Sequence, residues 1–285
     1  MFDAIYQLGD SISNTGNLIR ENPNTPFSHL PYGQSLFNNP TGRCSNALDA
    51  GLPLVSAYLN KDASMNHGVN FAVAGSTALP CEYLSTKKFL SPITNSSLNS
   101  SLNHQLDWMN ALFLVGEIGG NDYNYALFQG KTIQQAKDMV SYVVRTIKNA
   151  VEKVISFGAT RVIVLGNFPI GCFPIYLTGF QTNDTTAYDE LHCLKDLNSL
   201  ASYHNDQIKQ VIEVLKKENP HNIIVYGDYY HAFLWILRHA FVLGFDEASL
   251  QKSCCGIGGD YNFNLMQMCG LPGVSVCLNP NELIS

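Results

Sequence analysis

Between Ala111 and Leu243 the chain alternates short apolar runs with amphipathic stretches, and this alternation restricts the fold more than any other feature. Ala111-Leu112-Phe113-Leu114-Val115-Gly116-Glu117-Ile118 is a continuous apolar run that ends in Gly119-Gly120-Asn121-Asp122. A helix follows. Thr132 with Gln135 makes a capping box. Ile133, Ala136, Val140, Val143, Val144, Ile147, Val151, Val154 and Ile155 fall on one face at helical spacing, and Gly158 suits the residue after a helix end. Arg161-Val162-Ile163-Val164-Leu165 reads as a strand ending in Gly166-Asn167. A helical region runs from about Tyr188 to Glu218, Asn222 to Tyr226 is another strand ending in Gly227-Asp228, and Tyr229 to Leu243 looks helical. Upstream, Phe2 to Leu8 and His67 to Val73 are strand candidates, the second ending in Ala74-Gly75-Ser76. Repeated β-α-β order with near-continuous apolar strands predicts a parallel sheet covered on both faces. In such a sheet Ser11, Gly75, Asn121, Asn167 and Asp228 all follow strands and gather at the carboxyl edge, where ligands bind.

Gly9-Asp10-Ser11 stands at the end of the first strand candidate. A glycine turn there lifts the next side chain onto the open rim of the sheet. If a helix follows, its free N–H groups lie beside the serine. An acyl-transfer nucleophile needs that arrangement: an exposed hydroxyl with backbone donors nearby. Taken alone, the same residues read equally as a turn or an N-cap, Gly75 as a turn glycine and Asn121 as a strand-end cap.

The 285 residues, 46% hydrophobic, suffice for one large core, and a single domain over 1–285 is expected. Net charge is −6, and the longest basic runs are Lys87-Lys88 and Lys216-Lys217, so no footprint for nucleic acid exists. No apolar stretch is long enough to span a bilayer. Gly130-Lys131-Thr132 has Tyr125 where a phosphate loop needs its first glycine, and Gly256-Ile257-Gly258 lacks the third glycine of a dinucleotide fingerprint. No cofactor is expected. The eight cysteines (Cys44, Cys81, Cys172, Cys193, Cys254, Cys255, Cys269 and Cys277) form no Cys-x-x-Cys pair. Zinc is the competing reading for the last four, but their spacing fits no common finger, and no metal is expected. Sequons at Asn95, Asn99 and Asn183 agree with the cysteines in pointing to an oxidising, secretory route, and most cysteines are expected in disulfides. No signal peptide precedes Phe2, so the chain reads as starting at its mature end behind Met1. A monomer is expected.

The chain resembles the plant GDSL esterase/lipase family, part of the SGNH hydrolases. Its first block stands as Gly9-Asp10-Ser11-Ile12-Ser13-Asn14-Thr15-Gly16-Asn17, its second as Gly68-Val69-Asn70-Phe71-Ala72-Val73-Ala74-Gly75, and its third as Gly119-Gly120-Asn121-Asp122. Pro31-Tyr32-Gly33, Gly42-Arg43-Cys44-Ser45-Asn46, Asn167 to Cys172, Cys254-Cys255-Gly256 with Tyr261-Asn262-Phe263, and Asn279-Pro280 match as well, in order, over nearly the whole chain. The resemblance implies a three-layer α/β/α, flavodoxin-like fold and hydrolysis of carboxylic esters. Within the family the look is nearest to members acting on alkaloid acetyl esters or choline esters, so a small-molecule ester is the expected substrate. It further implies Ser11 as nucleophile, with the Ser11 N–H, the Gly75 N–H and the Asn121 amide as the oxyanion hole.

Three departures carry expectations. The family's Asp in the first block is Asn14 here, a loss that should be tolerable. A helical stretch between Asn46 and Gly51 is shortened, which should expose core. The family's Asp-x-x-His block, with its general base and orienting carboxylate, is not found after Asn279-Pro280, where the chain runs Asn281-Glu282-Leu283-Ile284-Ser285. None of the eight histidines (His29, His67, His104, His192, His204, His221, His231 and His239) is read as standing in an Asp-x-x-His context or as that base, and without the family's helix after that block part of the sheet should be uncovered. The first expectation is an active secreted esterase whose full-length form supplies that His and Asp. Without a base within reach a serine is a poor nucleophile, so slow hydrolysis by the chain as written, or a pseudoenzyme or ligand-binding protein, is the alternative expectation.

Overall fold

The computed structural model describes residues 2–33, 40–43, 55–86, 110–279 and Leu283. Six parallel strands make the central sheet: β1 (Ala4–Leu8), β2 (Ser56–Ala57), β3 (Gly68–Asn70), β4 (Ala111–Gly116), β5 (Arg161–Leu165) and β6 (Ile223–Gly227), in the order β2-β3-β1-β4-β5-β6. The helices are α1 (Asn17–Glu21), α2 (Cys81–Thr86), α3 (Gly120–Leu127), α4 (Ile133–Ser156), α5 (Pro174–Gly179), α6 (Lys195–Glu218), α7 (Tyr229–Arg238) and α8 (Ala240–Leu243). The α/β class expected from the alternation is the one observed: a parallel sheet flanked by helices. A small antiparallel pair, β7 (Cys255–Gly256) and β8 (Ser275–Val276), lies late in the chain.

The pleat explains the layering. Phe113, Val115, Val162, Val164 and Ile224 alternate onto one face and are fully buried, and α4 and α6 pack against each other beside this core. The α4 stripe predicted from spacing is buried from Ala136 to Val154 with Met139 added to it, while Ile133 and Ile155 at its ends are half-buried. Its capping box forms: Gln135 N donates to Thr132 Oγ1 at 3.2 Å, and Thr132 N to Gln135 Oε1 at 2.9 Å. Thr132→Ala is expected to cost about 1 kcal/mol in urea unfolding; an unchanged midpoint would mean the cap contributes nothing.

Register puts Leu112, Arg161 and Ile223 in one row of the opposite face and Leu114, Ile163 and Val225 in the next. Ile223 is 58% exposed and Val225 47%, so among the described residues this face is open at the β6 edge. The shortened stretch after Asn46 lies outside the described residues.

Several boundaries differ from expectation, each for a local reason. β3 stops at Asn70 because side chains take over the backbone bonds: Asn17 Nδ2 donates to Asn70 O and Ala72 O, and Asn70 Oδ1 accepts from Ala72 N. α6 begins at Lys195, not Tyr188, because Asp189 Oδ1 accepts from Leu191 N and Cys193 N and holds a turn there. The helix expected over 229–243 breaks at His239, whose Nδ1 engages Trp235 O at 2.8 Å. β2 has only two residues, too few for a period to register.

The cysteines pair as Cys172–Cys193, Cys254–Cys277 and Cys255–Cys269. The last four therefore hold each other, and the zinc reading falls, since a metal would need their thiolates. Cys44 lies outside the described residues.

Candidate active site

The first block leaves β1 in a turn, not a helix. Asn14 N donates to Ser11 O at 3.1 Å, Ile12 N to Asp10 Oδ1 at 3.1 Å, and the short α1 starts only at Asn17. The condition of a helix directly after Ser11 is therefore not met. Gly9 is fixed by crowding: a Cβ there would sit 2.9 Å from Gly116 O.

Buried amides lock the first block to the second. Asn17 Nδ2 reaches Asn70 O at 2.8 Å, Asn70 Nδ2 reaches Ser13 O at 2.6 Å, and Gln7 Nε2 reaches Ser13 Oγ at 3.0 Å. Asn14 is fully buried. Its Nδ2 donates to Gly42 O at 2.9 Å and its Oδ1 accepts from Asn17 N at 3.1 Å, so the amide both gives and receives where an ionised aspartate could only accept. Asn14 thus finds partners for both ends of its amide. Gly75, at φ +85°, turns the chain in a conformation that L side chains resist, and Tyr125 donates to its carbonyl at 3.2 Å. The third block opens α3. Its Asp122 accepts from Ala78 N and Leu79 N at 2.9 Å each, which pins the segment after Gly75 against α3.

A cavity of about 1180 Å³ opens at the carboxyl edge. Ser11, Gly75, Asn121 and Asn167 all line it, as the topology predicts. Asp228 does not: it caps α7, accepting from His231 N at 3.1 Å, beyond the cavity. Phe168, Phe173 and Phe233 form an aromatic wall, with Phe168 and Phe173 centroids 5.8 Å apart and Phe173 and Phe233 5.1 Å apart.

Two lining residues escape the sequence reading: Asp10 and Glu117, each 3% exposed. Burial is the main cause that pushes Asp10 up to about 6, against hydrogen bonds from Glu117, Ile12 and Ser11. Glu117 is pushed well above the usual carboxylate range by burial and then by Asp10. It sits at φ +34°, and its Oε2 has no hydrogen-bond partner among the described residues. A carboxylate inside the apolar run Ala111 to Ile118 is the signal that could have found it. Asn121 Nδ2 donates to Asp10 Oδ2 at 3.2 Å and to Ser76 O at 2.9 Å, so both amide hydrogens are engaged at rest.

Among the described residues no histidine lines the cavity. His204 is buried, its Nδ1 meets Tyr123 Oη at 2.8 Å, and burial pushes it down to about 3, so it stays neutral. His29, His67, His192, His221, His231 and His239 are exposed. Two Asp-x-x-His spacings do occur, Asp189-Glu190-Leu191-His192 and Asp228-Tyr229-Tyr230-His231, contrary to the expectation that no histidine stands in that context. In the first, Asp189 Oδ1 accepts from Leu191 N and Cys193 N in the turn before α6, and neither Asp189 nor His192 lines the cavity. In the second, His231 Nδ1 pairs with Asp228 Oδ2 at 2.8 Å. The pair follows β6, three strands from β1. At about 4.8 Å per strand that is roughly 14 Å from the end of β1, too far for a proton transfer with Ser11.

Fold and cavity together define a parallel α/β protein with a small-molecule site at the carboxyl ends of its strands. Comparison with known proteins makes the assignment specific. The family model described as GDSL-like Lipase/Acylhydrolase matches residues 5–275. Acetylajmalan esterase 2 of Rauvolfia serpentina is 43% identical over 310 residues, covering 99% of this chain and 84% of its own. Acetylajmalan esterase 1 of the same plant is 40% identical over 313 residues, 99% and 80%. A GDSL esterase/lipase of Arabidopsis thaliana is 41% identical over 300 residues, 99% and 82%. The chain belongs to the GDSL lipase/acylhydrolase family and is a GDSL-type carboxylic-ester hydrolase. Nothing in these likenesses favours the pseudoenzyme alternative.

Proposed function

We propose that this chain hydrolyses small acyl esters of plant secondary metabolites, with Ser11 as nucleophile and the Ser11 N–H, the Gly75 N–H and the Asn121 amide as oxyanion donors. The observation that carries the reading is convergence. Three residues from turns after three different strands line one cavity, and each is only half-buried there. To serve the oxyanion, Asn121 redirects one of its two N–H bonds from Asp10 or Ser76 toward the substrate. The cavity has room for an alcohol much larger than an acetyl group, and its wall is largely aromatic and aliphatic. The likeness to two acetylajmalan esterases supports a short acyl group on a bulky alcohol. Residues 1–285 act as one domain.

The test is hydrolysis of nitrophenyl esters of rising acyl length, with Ser11→Ala as control. Acetate should be preferred over long acyl chains, and the control should be inactive. A preference for long chains would remove the small-acyl assignment; activity surviving Ser11→Ala would remove Ser11.

The protein is further proposed to enter the secretory pathway, on three disulfides and an exposed sequon at Asn183. Protein from a secretory host, unfolded without reductant, should show few free thiols. Eight would count against this route.

A further inference from the structure

We propose that Tyr176 and Asn124 are positioning residues for Asn121, a two-step hydrogen-bond chain that fixes the orientation of its amide. The proposal rests on the reading of Asn121 as an oxyanion donor. The oxygen and nitrogen ends of an asparagine amide have nearly the same shape, so only the partners of each end decide which way it lies. Asn121 Nδ2 donates to Asp10 Oδ2 at 3.2 Å and to Ser76 O at 2.9 Å. Its Oδ1 accepts from Asn124 Nδ2 at 3.4 Å, and Asn124 Oδ1 in turn accepts from Tyr176 Oη. Turned over, the amide would set its oxygen against two acceptors and its nitrogen against a donor.

The chain is built from two elements that follow different strands. Asn121 and Asn124 are three residues apart on α3 and so share one face of that helix. Tyr176 stands in the first turn of α5, which Pro174 opens. Its ring is 3% exposed, with centroids 5.9 Å from Phe128 and 6.4 Å from Phe180, and a side chain packed in this way has one place for its hydroxyl. Burial raises its proton affinity, so the phenol keeps its proton and gives it to the bond with Asn124. All three residues line the cavity.

Both links donate toward Asn121, and such a sequence polarises the next donor along it, here the Asn121 N–H groups themselves. The arrangement also suits the change that catalysis asks of Asn121. One of its N–H groups must leave Asp10 or Ser76 for the oxyanion. Asn124 holds the oxygen end meanwhile, so the amide gives up one acceptor without turning over.

The experiment compares nitrophenyl acetate with its thiono counterpart, in which sulfur replaces the carbonyl oxygen, for the full chain as wild type, Asn121→Ala, Asn124→Leu and Tyr176→Phe. Sulfur is a weak acceptor, so the preference for the oxygen ester reports the oxyanion donors. Tyr176→Phe should lose about 3- to 10-fold in kcat, the worth of one hydrogen bond, and Asn124→Leu on the order of 10- to 100-fold, with KM little changed in either. In both, the oxygen preference should shrink toward that of Asn121→Ala. A kcat unchanged in both variants would overturn the proposal. So would a change confined to KM with the preference intact, since that is what wall residues that only shape the cavity would give. Preference lost in Asn121→Ala but kept in the other two removes the chain alone; preference kept in Asn121→Ala removes the oxyanion reading and the chain with it. A second readout needs no turnover. In nitrogen-edited NMR spectra the side-chain amide of Asn121 should shift in Tyr176→Phe, which keeps the ring and removes only the hydroxyl. An unmoved amide overturns the chain, even if Asn124→Leu does not fold or hydrolysis is too slow to follow.

Discussion

Ser11→Ala should lower ester hydrolysis by on the order of 10⁴-fold or more, the scale seen when a serine nucleophile is removed from its machinery. Asn121→Ala should lose about 10²- to 10³-fold, the worth of one oxyanion donor. The two differ in kind. Ser11→Ala removes the bond-forming atom, so no acyl-enzyme should accumulate at any pH. Asn121→Ala keeps the nucleophile, so a slow burst should remain. No loss at all would remove Asn121 from the site.

The outline of this site was legible in the sequence because each part of it is punctuation. Glycine after an apolar run marks a strand end, and in a parallel sheet every strand end points the same way. Ser11, Gly75 and Asn121 could thus be brought together without any contact being known. What the pattern hid depends on tertiary partners. β3 ends at Asn70 because the side chain of Asn17, from another element, takes the Ala72 carbonyl and that of Asn70 takes the Ala72 N–H, and nothing local announces that. Glu117 and Asp10 read as ordinary polar residues near turns. Their shifted proton affinity exists only because β1 and β4 lie side by side and put both carboxyls under the same floor. The Asp228-x-x-His231 pair shows the converse. It has the letters of a base and its orienter, but register places it at the far edge of the sheet, where it caps a helix.

Those buried carboxyls also govern stability, and the protein is expected to be more stable at pH 5 than at pH 8. Asp122 rises from 3.8 to about 7 and Asp10 from 3.8 to about 6, both mainly through burial, and Glu117 rises as well. A carboxyl whose folded value lies above its unfolded one holds its proton more tightly in the fold. Its contribution is fully present below the unfolded value and is lost as pH climbs through the folded one. From pH 8 down to 5, Asp122 gains across about two pH units and Asp10 across about one, together on the order of 4 kcal/mol. Glu117 adds in the same direction. His204 opposes them. Burial lowers it from 6.5 to about 3, so its contribution is present above 6.5 and falls as the medium is acidified. Down to pH 5 that removes about 2 kcal/mol. The carboxyls win by about 2 kcal/mol before Glu117 is counted, or roughly 4 °C in Tm for a chain of this size. Calorimetry at the two pH values checks the sign. Asp122→Asn should narrow the gap even though it weakens the fold at pH 5, because Asn can accept from only one of Ala78 N and Leu79 N. A Tm that rises toward pH 8, or a gap that Asp122→Asn leaves unchanged, would show that these carboxyls are ionised and solvated in the folded chain.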